Sequence, residues 1–156
     1  MRIEYLADNI VFAENVAGWI FNEFVKDIRQ GITYEQVLES VKNCHKEKFP
    51  IRLIAIEEAV DEKCIGTVAI VQNDLKCRDY TPWLAALYVD APFRRNSIGE
   101  QLIESAKSIV EEFGYNEIYL RTEHTSEYYR RLGWQFIESC EDEFGLKPDV
   151  FKFILV

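Results

Sequence analysis

A strand, a turn, a helix and a second strand follow one another between residues 82 and 123. The apolar segment PWLAALYVD (82–90) leads through a short turn into a longer amphipathic segment (98–113), and the strand-like segment NEIYLRTE (116–123) follows. One face of the middle segment is apolar at helical spacing, at Ile98, Leu102, Ala106, Ile109 and Phe113. The second strand lies one helix beyond the first, which is the βαβ arrangement, and this predicts that the two strands pair in parallel.

Three strand-like segments with short connections predict an antiparallel part of the same sheet. They are IRLIAIEE (51–58), CIGTVAIVQN (64–73) and the segment 82–90. A polar turn links the first two, and a short charged piece links the second to the third. Connections of this length suit hairpins, so we expect these three strands to pair antiparallel.

Two helices are expected before these strands. Apolar residues recur every four positions over 8–27, and Thr33 stands three residues before Gln36, the spacing of a capping box that opens a second helix. The other expected elements are a strand over 2–6, a short helix near 126–132 and strands near 134–140 and 150–155. The predicted fold class is therefore α/β, or α+β, with a mixed sheet.

Length and charge limit the classes of protein to which this chain can belong. With 156 residues, 48% of them hydrophobic, the chain fits one domain spanning 1–156 with a substantial core. Its net charge of −9 argues against a nucleic-acid partner, which needs a basic face. The same charge is compatible with a cationic substrate, because an acidic field attracts amines, and equally with solubility alone.

Cysteine and histidine are too sparse in this sequence to suggest a metal site. The four cysteines, Cys44, Cys64, Cys77 and Cys140, form no CxxC pair, and the chain has two histidines. Isolated cysteines in a domain of this size suggest reduced thiols and a cytoplasmic setting. No apolar run reaches the roughly 18 residues of a membrane span, so we expect no membrane partner.

The turn between segment 82–90 and the helix carries the strongest functional signal. Arg94 and Arg95 stand before the helix, whose first N–H groups are free and carry the positive end of the helix dipole. Such a turn can bind a phosphate or pyrophosphate. It matches neither the GxxxxGK[ST] pattern of a P-loop nor a dinucleotide fingerprint, since Gly99 is its one glycine. On spacing alone, it can equally be a plain helix start with two solvated arginines.

Two motifs of the chain resemble those of one enzyme family. YVDAPFRRNSIGEQLIESA (88–106) resembles the acetyl-CoA-binding segment of the GCN5-related N-acetyltransferases (GNAT), in which a strand ending in valine meets an Arg/Gln-x-x-Gly-x-Gly/Ala turn. Val89, Arg94 and Gly99 match the valine, the Arg/Gln and the second glycine. EYYRRLGW (127–134) resembles the family's FY-x-x-x-GF segment. The strand WLAALYV and the ending RLGW resemble a bacterial branch of mostly unassigned substrate.

The resemblance implies a mixed, mostly antiparallel sheet of about six or seven strands with about four helices. It implies acetyl-CoA as a cosubstrate, with its pantetheine arm in a V between two splayed parallel strands. The residues implied to bind it are Leu87, Tyr88, Val89, Arg94, Arg95, Asn96, Ser97, Ile98, Gly99 and Glu100. The first three would bond to pantetheine through their backbone, and the N–H groups of 95–100 would hold the pyrophosphate.

The turn departs from the family pattern at one position. Ser97 replaces the first glycine, so a Cβ atom stands where the backbone usually approaches the phosphates closely. Ser97 and Glu100 also have capping-box spacing, and a capping carboxylate would compete with the pyrophosphate for the same N–H groups. We expect the Glu100 side chain to turn away from the cap.

The implied reaction is direct attack of an amine on the thioester, which needs an acid and a base but no side-chain nucleophile. Tyr129 matches the family's tyrosine and is the candidate acid, whereas Tyr128 is expected to pack against the helix or the cofactor. Glu57 or Glu58 is the candidate base, with His124 as a second candidate.

The acceptor is expected to be a primary amine on a small cationic molecule, or on a peptide or protein. Trp83, Tyr34 and Trp19 are the candidates to line its pocket, because aromatic faces attract cations. The main alternative is a catalytically inactive acyl-CoA-binding sensor or interaction module, and a nucleotide-binding protein is a third interpretation. The resemblance also allows a homodimer.

Overall fold

The computed structural model describes residues 1–155 and contains one sheet of seven strands. The strands are β1 (Arg2–Tyr5), β2 (Ile51–Glu57), β3 (Lys63–Val71), β4 (Trp83–Val89), β5 (Glu117–Thr122), β6 (Gln135–Ser139) and β7 (Asp149–Ile154). The α-helices are α1 (Ala13–Ile20), α2 (Tyr34–Lys42), α3 (Ile98–Glu112) and α4 (Ser126–Arg131). None of the helices within residues 1–155 has the length and apolarity needed to cross a membrane.

The strand order in the sheet is β1-β2-β3-β4-β5-β7-β6. β4 and β5, which flank α3 in the chain, pair in parallel, and the other neighbouring strands pair antiparallel. The sheet therefore has one block made of β1 to β4 and a second made of β5, β7 and β6. The predicted mixed sheet, its hairpins and its parallel crossover are confirmed.

Side chains on the two faces of the sheet form two parts of the core. On one face Leu53 packs in a cluster with Leu102 of α3. On the other face Ile54 packs with Val16 of α1 and Val41 of α2. Because β2 and β3 are covered on both faces, their sequences are nearly continuous apolar runs rather than alternating ones. Each fully buried Ile or Leu side chain stabilises the fold by about 1.5 to 3 kcal/mol.

The buried face of α3 differs slightly from the predicted one. Its C-terminal half is buried through Val110, whereas the predicted Phe113 is 38% exposed. Phe113 instead stacks on Phe49, with ring centroids 5.7 Å apart. The buried row follows the i, i+4 ridge of the helix, which is inclined to the helix axis, and it therefore leaves the predicted stripe near the end.

The helix predicted over 8–27 is interrupted. Two short turns precede α1, and a wider helical turn, Phe21–Val25, follows it. α2 begins at the predicted capping box: the Gln36 N–H donates to Thr33 Oγ1 at 3.1 Å, and the Thr33 N–H donates to Gln36 Oε1 at 2.8 Å. Together these helical segments cover the face of the sheet opposite α3.

β4 and β5 separate along their length. They pair at one position, Trp83 with Tyr119, where the Tyr119 N–H donates to the Pro82 carbonyl at 3.0 Å. Between this point and Val89, residues 1–155 show no further pairing of the two strands. A bulge at Ala86, with φ of 52°, bends β4 at this level. The result is a V-shaped gap between parallel strands, as expected.

Candidate active site

The gap between β4 and β5 opens into a cleft of about 960 Å³. One end is lined by the turn before α3, and the other end is lined by the helical segment after α1, by α2 and by β2. The lining residues with useful chemistry are Tyr88, Arg94, Arg95, Ser97, Gly99, Tyr128 and Tyr129 near the turn, and Arg29, Arg52 and Asp74 toward the paired end of the strands.

The turn before α3 presents a run of free backbone donors. Within residues 1–155, the N–H groups of residues 95–100 donate to no acceptor, and the first bond of the helix is Gln101 N–H to the Ser97 carbonyl at 3.0 Å. Arg95 and Ser97 have left-handed backbone, with φ of 67° and 61°. Such successive N–H groups at a helix N-terminus form a site for a phosphate group.

The competing cap between Ser97 and Glu100 does not form. Ser97 is the N-cap residue of α3, but its side chain makes no capping hydrogen bond. The Glu100 side chain accepts no hydrogen bond from a group in the described residues, in agreement with the expected turn away from the cap. The N–H groups of this turn therefore stay available to a ligand.

Arg94 ties the turn to the end of β4. Its Nε donates to the Val89 carbonyl at 2.8 Å, and its guanidinium lies over the Tyr88 ring at 5.2 Å from the centroid. Asn96 points elsewhere: its Nδ2 donates to the Phe93 carbonyl at 3.2 Å, and it does not line the cleft. Of the predicted cofactor residues, Asn96 alone lies outside the cleft lining within the described chain.

Gly99 lies where the turn meets α4. A Cβ atom on Gly99 would stand 3.1 Å from the Tyr128 hydroxyl and 3.7 Å from Val89 Cγ2. A glycine here lets the backbone approach these side chains closely. The turn therefore fits a diphosphate through its free N–H groups and its close backbone packing, although Ser97 replaces the first glycine of the motif.

Tyr128 and Tyr129 both line the cleft, in different surroundings. Tyr129 is 8% exposed and packs edge-on against Trp134, with ring centroids 6.0 Å apart. Its hydroxyl has no hydrogen-bond partner within residues 1–155, and burial raises the pKa of its phenol. Tyr128 is half-buried, and burial together with the nearby Glu100 carboxylate raises its phenol pKa. Both phenols therefore stay protonated at neutral pH and can donate a proton.

The predicted base candidates lie outside the cleft lining. Glu57 pairs with Lys63 at the β2–β3 hairpin, and Glu58 forms an ion pair with Arg2 at 3.0 Å. β3 stands between this part of β2 and the cleft, which explains why neither carboxylate reaches it. His124 is exposed and is also outside the lining.

The three predicted aromatic pocket residues are also outside the lining. Trp83 is fully buried at the paired end of the strands, and its indole N–H donates to the Tyr80 carbonyl at 2.5 Å. Trp19 packs on Tyr88, with centroids 5.4 Å apart, and Tyr34 packs edge-on against Phe21. These rings pack against protein neighbours, and their contact with the acceptor stays a prediction.

Three charged residues that no sequence motif marks line the far end of the cleft. Arg52 lies on β2 and is 9% exposed, and Arg29 lies after the wider helical turn. Within residues 1–155, the Nε atom of each arginine is buried and has no hydrogen-bond partner. Asp74 follows β3 and is partly buried, and burial raises the pKa of its carboxyl group to about 6. The available signal was Arg52 itself, a charge inside the apolar run IRLIAIE.

A comparison with protein-family models identifies the family. The model of the acetyltransferase (GNAT) family matches residues 19–134, which include the turn, α3 and both tyrosines. The chain belongs to the GNAT family. GNAT membership confirms the acyltransferase class and acetyl-CoA as the cosubstrate that the sequence motifs implied.

Solved structures of GNAT proteins share the fold of this one at low sequence identity. An aminoglycoside 6′-N-acetyltransferase complexed with coenzyme A has a TM-score of 0.77 and 18% identity, with 100% of this chain and 98% of that chain covered. An aminoglycoside 6′-N-acetyltransferase from Enterococcus faecium has a TM-score of 0.73 and 18% identity, with the same coverage. A GNAT acetyltransferase from Staphylococcus aureus Mu50 has a TM-score of 0.69 and 17% identity, covering 99% of this chain and 100% of that one. A comparison with curated proteins finds no match.

Proposed function

We propose that this GNAT protein transfers an acetyl group from acetyl-CoA directly to a primary amine of a small molecule or peptide. The observation that carries the proposal is one continuous cleft, with free N–H groups at one end and charged side chains at the other. The first end suits the diphosphate of the donor, and the second suits a polar acceptor. The aminoglycoside N-acetyltransferases that share this fold support an amine as the acceptor.

The donor would lie along β4. The N–H groups of residues 95–100 would bind the diphosphate, with Arg94 and Arg95 adding positive charge. The backbone of Leu87, Tyr88 and Val89, which lacks a β5 partner at this level, would bond to the pantetheine arm as a neighbouring strand does. This arrangement would place the thioester in the gap between β4 and β5, next to both tyrosines.

The chemistry needs two proton transfers. The amine nitrogen attacks the thioester carbonyl, so that a C–N bond forms and the C–S bond breaks. Tyr129 would donate its proton to the departing thiolate, because its hydroxyl has no competing protein partner and its ring is held rigidly by packing. Asp74 would accept the proton that the amine loses. Its carboxylate has no ion pair within residues 1–155, whereas Glu123 in the same cleft is held by Arg121 at 2.7 Å.

The direct test is release of free CoA thiol from acetyl-CoA in the presence of a panel of amines and peptides, with thermal-shift measurements of binding. Acetyl-CoA should raise the melting temperature, and at least one amine should trigger thiol release. Stabilisation by acetyl-CoA with no release across the panel would favour the inactive sensor. Stabilisation by ATP, but not by acetyl-CoA, would overturn the proposal in favour of a nucleotide-binding protein.

A further inference from the structure

We infer that the far end of the cleft is an anion subsite, in which Arg52 and Arg29 bind a carboxylate group of the amine acceptor. The substrate class is then an amino acid or another small amine that carries a carboxylate. This inference rests on the proposed acetyl transfer, because it names the acceptor of that reaction.

The strand register places Arg52 on the face of the sheet that lines the cleft. Arg52 on β2 pairs with Ala69 on β3, and Ala69 pairs with Ala85 on β4. Residues paired directly across antiparallel strands present their side chains on the same face of the sheet. The two alanines between Arg52 and the gap have only methyl side chains, and all three residues line the cleft. Along this row, only methyl side chains therefore stand between Arg52 and the gap.

Arg52 lacks the partners that a buried arginine normally has. It is 9% exposed, its Nε is buried, and its guanidinium forms no hydrogen bond or ion pair within residues 1–155. A guanidinium has five N–H donors, and leaving them unpaired in a buried site is costly. Burial accordingly lowers the pKa of this guanidinium. A ligand with acceptor oxygens would satisfy these donors.

The charges around Arg52 leave an excess of positive charge. Arg29 has a buried, unpartnered Nε and stacks on Phe144 at 5.1 Å, and both arginines act on the same Asp74 carboxylate. Neither is within ion-pair distance of a carboxylate in the part of the chain described. Glu143 also acts on Asp74, but it is paired with Lys76 at 3.6 Å, so the two guanidinium groups face the Asp74 carboxylate. Arg121 does not add to this excess, because Asp142 at 2.6 Å and Glu123 at 2.7 Å hold it.

Other acidic groups in the cleft do not cancel this charge. Glu23 is exposed to water on the helical segment, and Glu100 lies at the opposite end, beside the turn. An ion in water is screened strongly, whereas a buried guanidinium is not. The far end of the cleft therefore attracts an anion and repels a polycation.

A carboxylate fits this subsite better than other groups that a small amine carries. Its two oxygens match the planar fork of a guanidinium, and it supplies the single negative charge that balances the site. Asp74 beside it would still be available to take the proton of the acceptor's amine. A polyamine or an aminoglycoside would bring further positive charge next to Arg52 and Arg29, and we expect such acceptors to be poor.

Matched acceptors test the inference. The wild-type protein is assayed with L-amino acids, with the corresponding carboxamides, and with spermidine and kanamycin as polycations. The expected result is a kcat/KM at least about tenfold higher for the best amino acid than for its carboxamide, as one charge-assisted bidentate contact would give. In Arg52→Gln the two values should approach each other, with acetyl-CoA affinity unchanged. Lys48→Gln, which removes an exposed positive charge, should keep the preference.

A binding measurement separates this inference from the proposed reaction. N-acetyl amino acids should raise the melting temperature of the wild type more than their carboxamides do, and this difference should vanish in Arg52→Gln. If no amine is acetylated but the difference stands, the proposed reaction fails and the subsite remains. If acetylation occurs but neither assay shows a preference for the carboxylate, the subsite is rejected. It is also rejected if Arg52→Gln keeps the preference of the wild type. Arg29→Gln provides the same test if Arg52→Gln does not fold.

Discussion

The Tyr128 hydroxyl lies 3.1 Å from the position that a Cβ atom would occupy on Gly99. At this point α4 lies close to the turn that carries the free N–H groups. In Gly99→Ala, we expect the turn or Tyr128 to move by a few tenths of an ångström, and acetyl-CoA affinity to fall by roughly tenfold. Isothermal titration calorimetry measures the change.

The Tyr128→Phe background is the control for this prediction. Removing the hydroxyl removes the atom that the new methyl group would meet, so Gly99→Ala should then cost much less affinity. A double-mutant cycle gives the coupling between the two sites directly. Equal losses in both backgrounds would show that the hydroxyl contact does not set the shape of the turn.

Tyr129 and Tyr128 form a matched pair for testing the acid. Tyr129→Phe should lower kcat about 10²-fold or more while leaving acetyl-CoA affinity nearly unchanged, because a proton donor acts in the transition state. Tyr128→Phe should lower kcat far less. Since burial raises the pKa of Tyr129, ionisation of its phenol by rising pH should not lower the rate up to about pH 10. The reverse order of the two effects would move the acid to Tyr128.

Asp74 should set the acid limb of the pH–rate profile. Its carboxyl pKa is raised to about 6 by burial, so kcat/KM should fall as the pH drops through about 6, where the carboxylate takes up a proton. The residual activity of Asp74→Asn should lack this limb. A limb that is unchanged in Asp74→Asn would show that another group is the base.

The same carboxyl group should also affect stability with pH. A pKa higher in the folded protein than in the unfolded chain means that the folded state holds this proton more tightly, so ionisation destabilises the fold. The loss of unfolding free energy caused by this ionisation is absent below about pH 4, grows as the pH rises to about 6, and is complete above about pH 6. Relative to wild type, Asp74→Asn should gain about 1 to 3 kcal/mol in unfolding free energy between pH 4 and pH 7, measured by urea titration.

Arg52→Met should stabilise the protein while it removes the proposed subsite. The buried guanidinium has no hydrogen-bond partner within residues 1–155, so an apolar side chain of similar length removes an uncompensated desolvation cost. We expect a gain of about 1 to 3 kcal/mol at pH 7, measured by urea unfolding. Lys48→Met serves as a surface control and should change stability little. Destabilisation by Arg52→Met would indicate that the guanidinium has partners that stabilise the fold.

Cys77 and Cys140 should form a disulfide under mild oxidation. Their Sγ atoms are 3.9 Å apart on neighbouring loops, and a small side-chain rotation brings them to bonding distance. Diamide would take two electrons and two protons from the two thiols. Cys44 and Cys64 are buried, and burial raises the pKa of Cys64 to about 12. Both thiols should therefore resist oxidation by diamide. Peptide mapping reads out the bond, and Cys77→Ser should abolish it.

The fold could be predicted from the sequence because local patterns agreed with one another. The apolar runs of β2 and β3, the capping box at Thr33 and the crossover through α3 each pointed to the same mixed sheet. The interruption of the first helix was missed, because the wider turn at Phe21–Val25 keeps an apolar stripe much like that of a regular helix.

One end of the cleft could be predicted from the sequence, and the other could not. The turn is a continuous segment, so its residues could be named from a motif, and nearly all of them line the cleft. The far end is assembled from β2, the loop after β3 and the segment after α1, and their proximity depends on strand register. The base candidates Glu57 and Glu58 were plausible by position in the strand but lie behind β3.

The net charge of the chain does not determine the charge inside its cleft. The net charge of −9 is compatible with a cationic acceptor, and the far end of the cleft carries Arg29 and Arg52, neither of which is ion-paired within residues 1–155. Surface carboxylates contribute to the sum but are screened by water. A buried guanidinium adds only one charge to the net charge, but it acts on a bound molecule more strongly than a surface charge does, because little water screens it.

The single pairing of Trp83 with Tyr119 divides the backbone network of the sheet into two cooperative units. Hydrogen–deuterium exchange should show this division as two groups of amide protection factors, one for the strands before α3 and one for those after it. A molecule that bonds to β4 across the gap would couple the two units. Amides at Leu87–Val89 should then slow most, and the protection of both units should rise together.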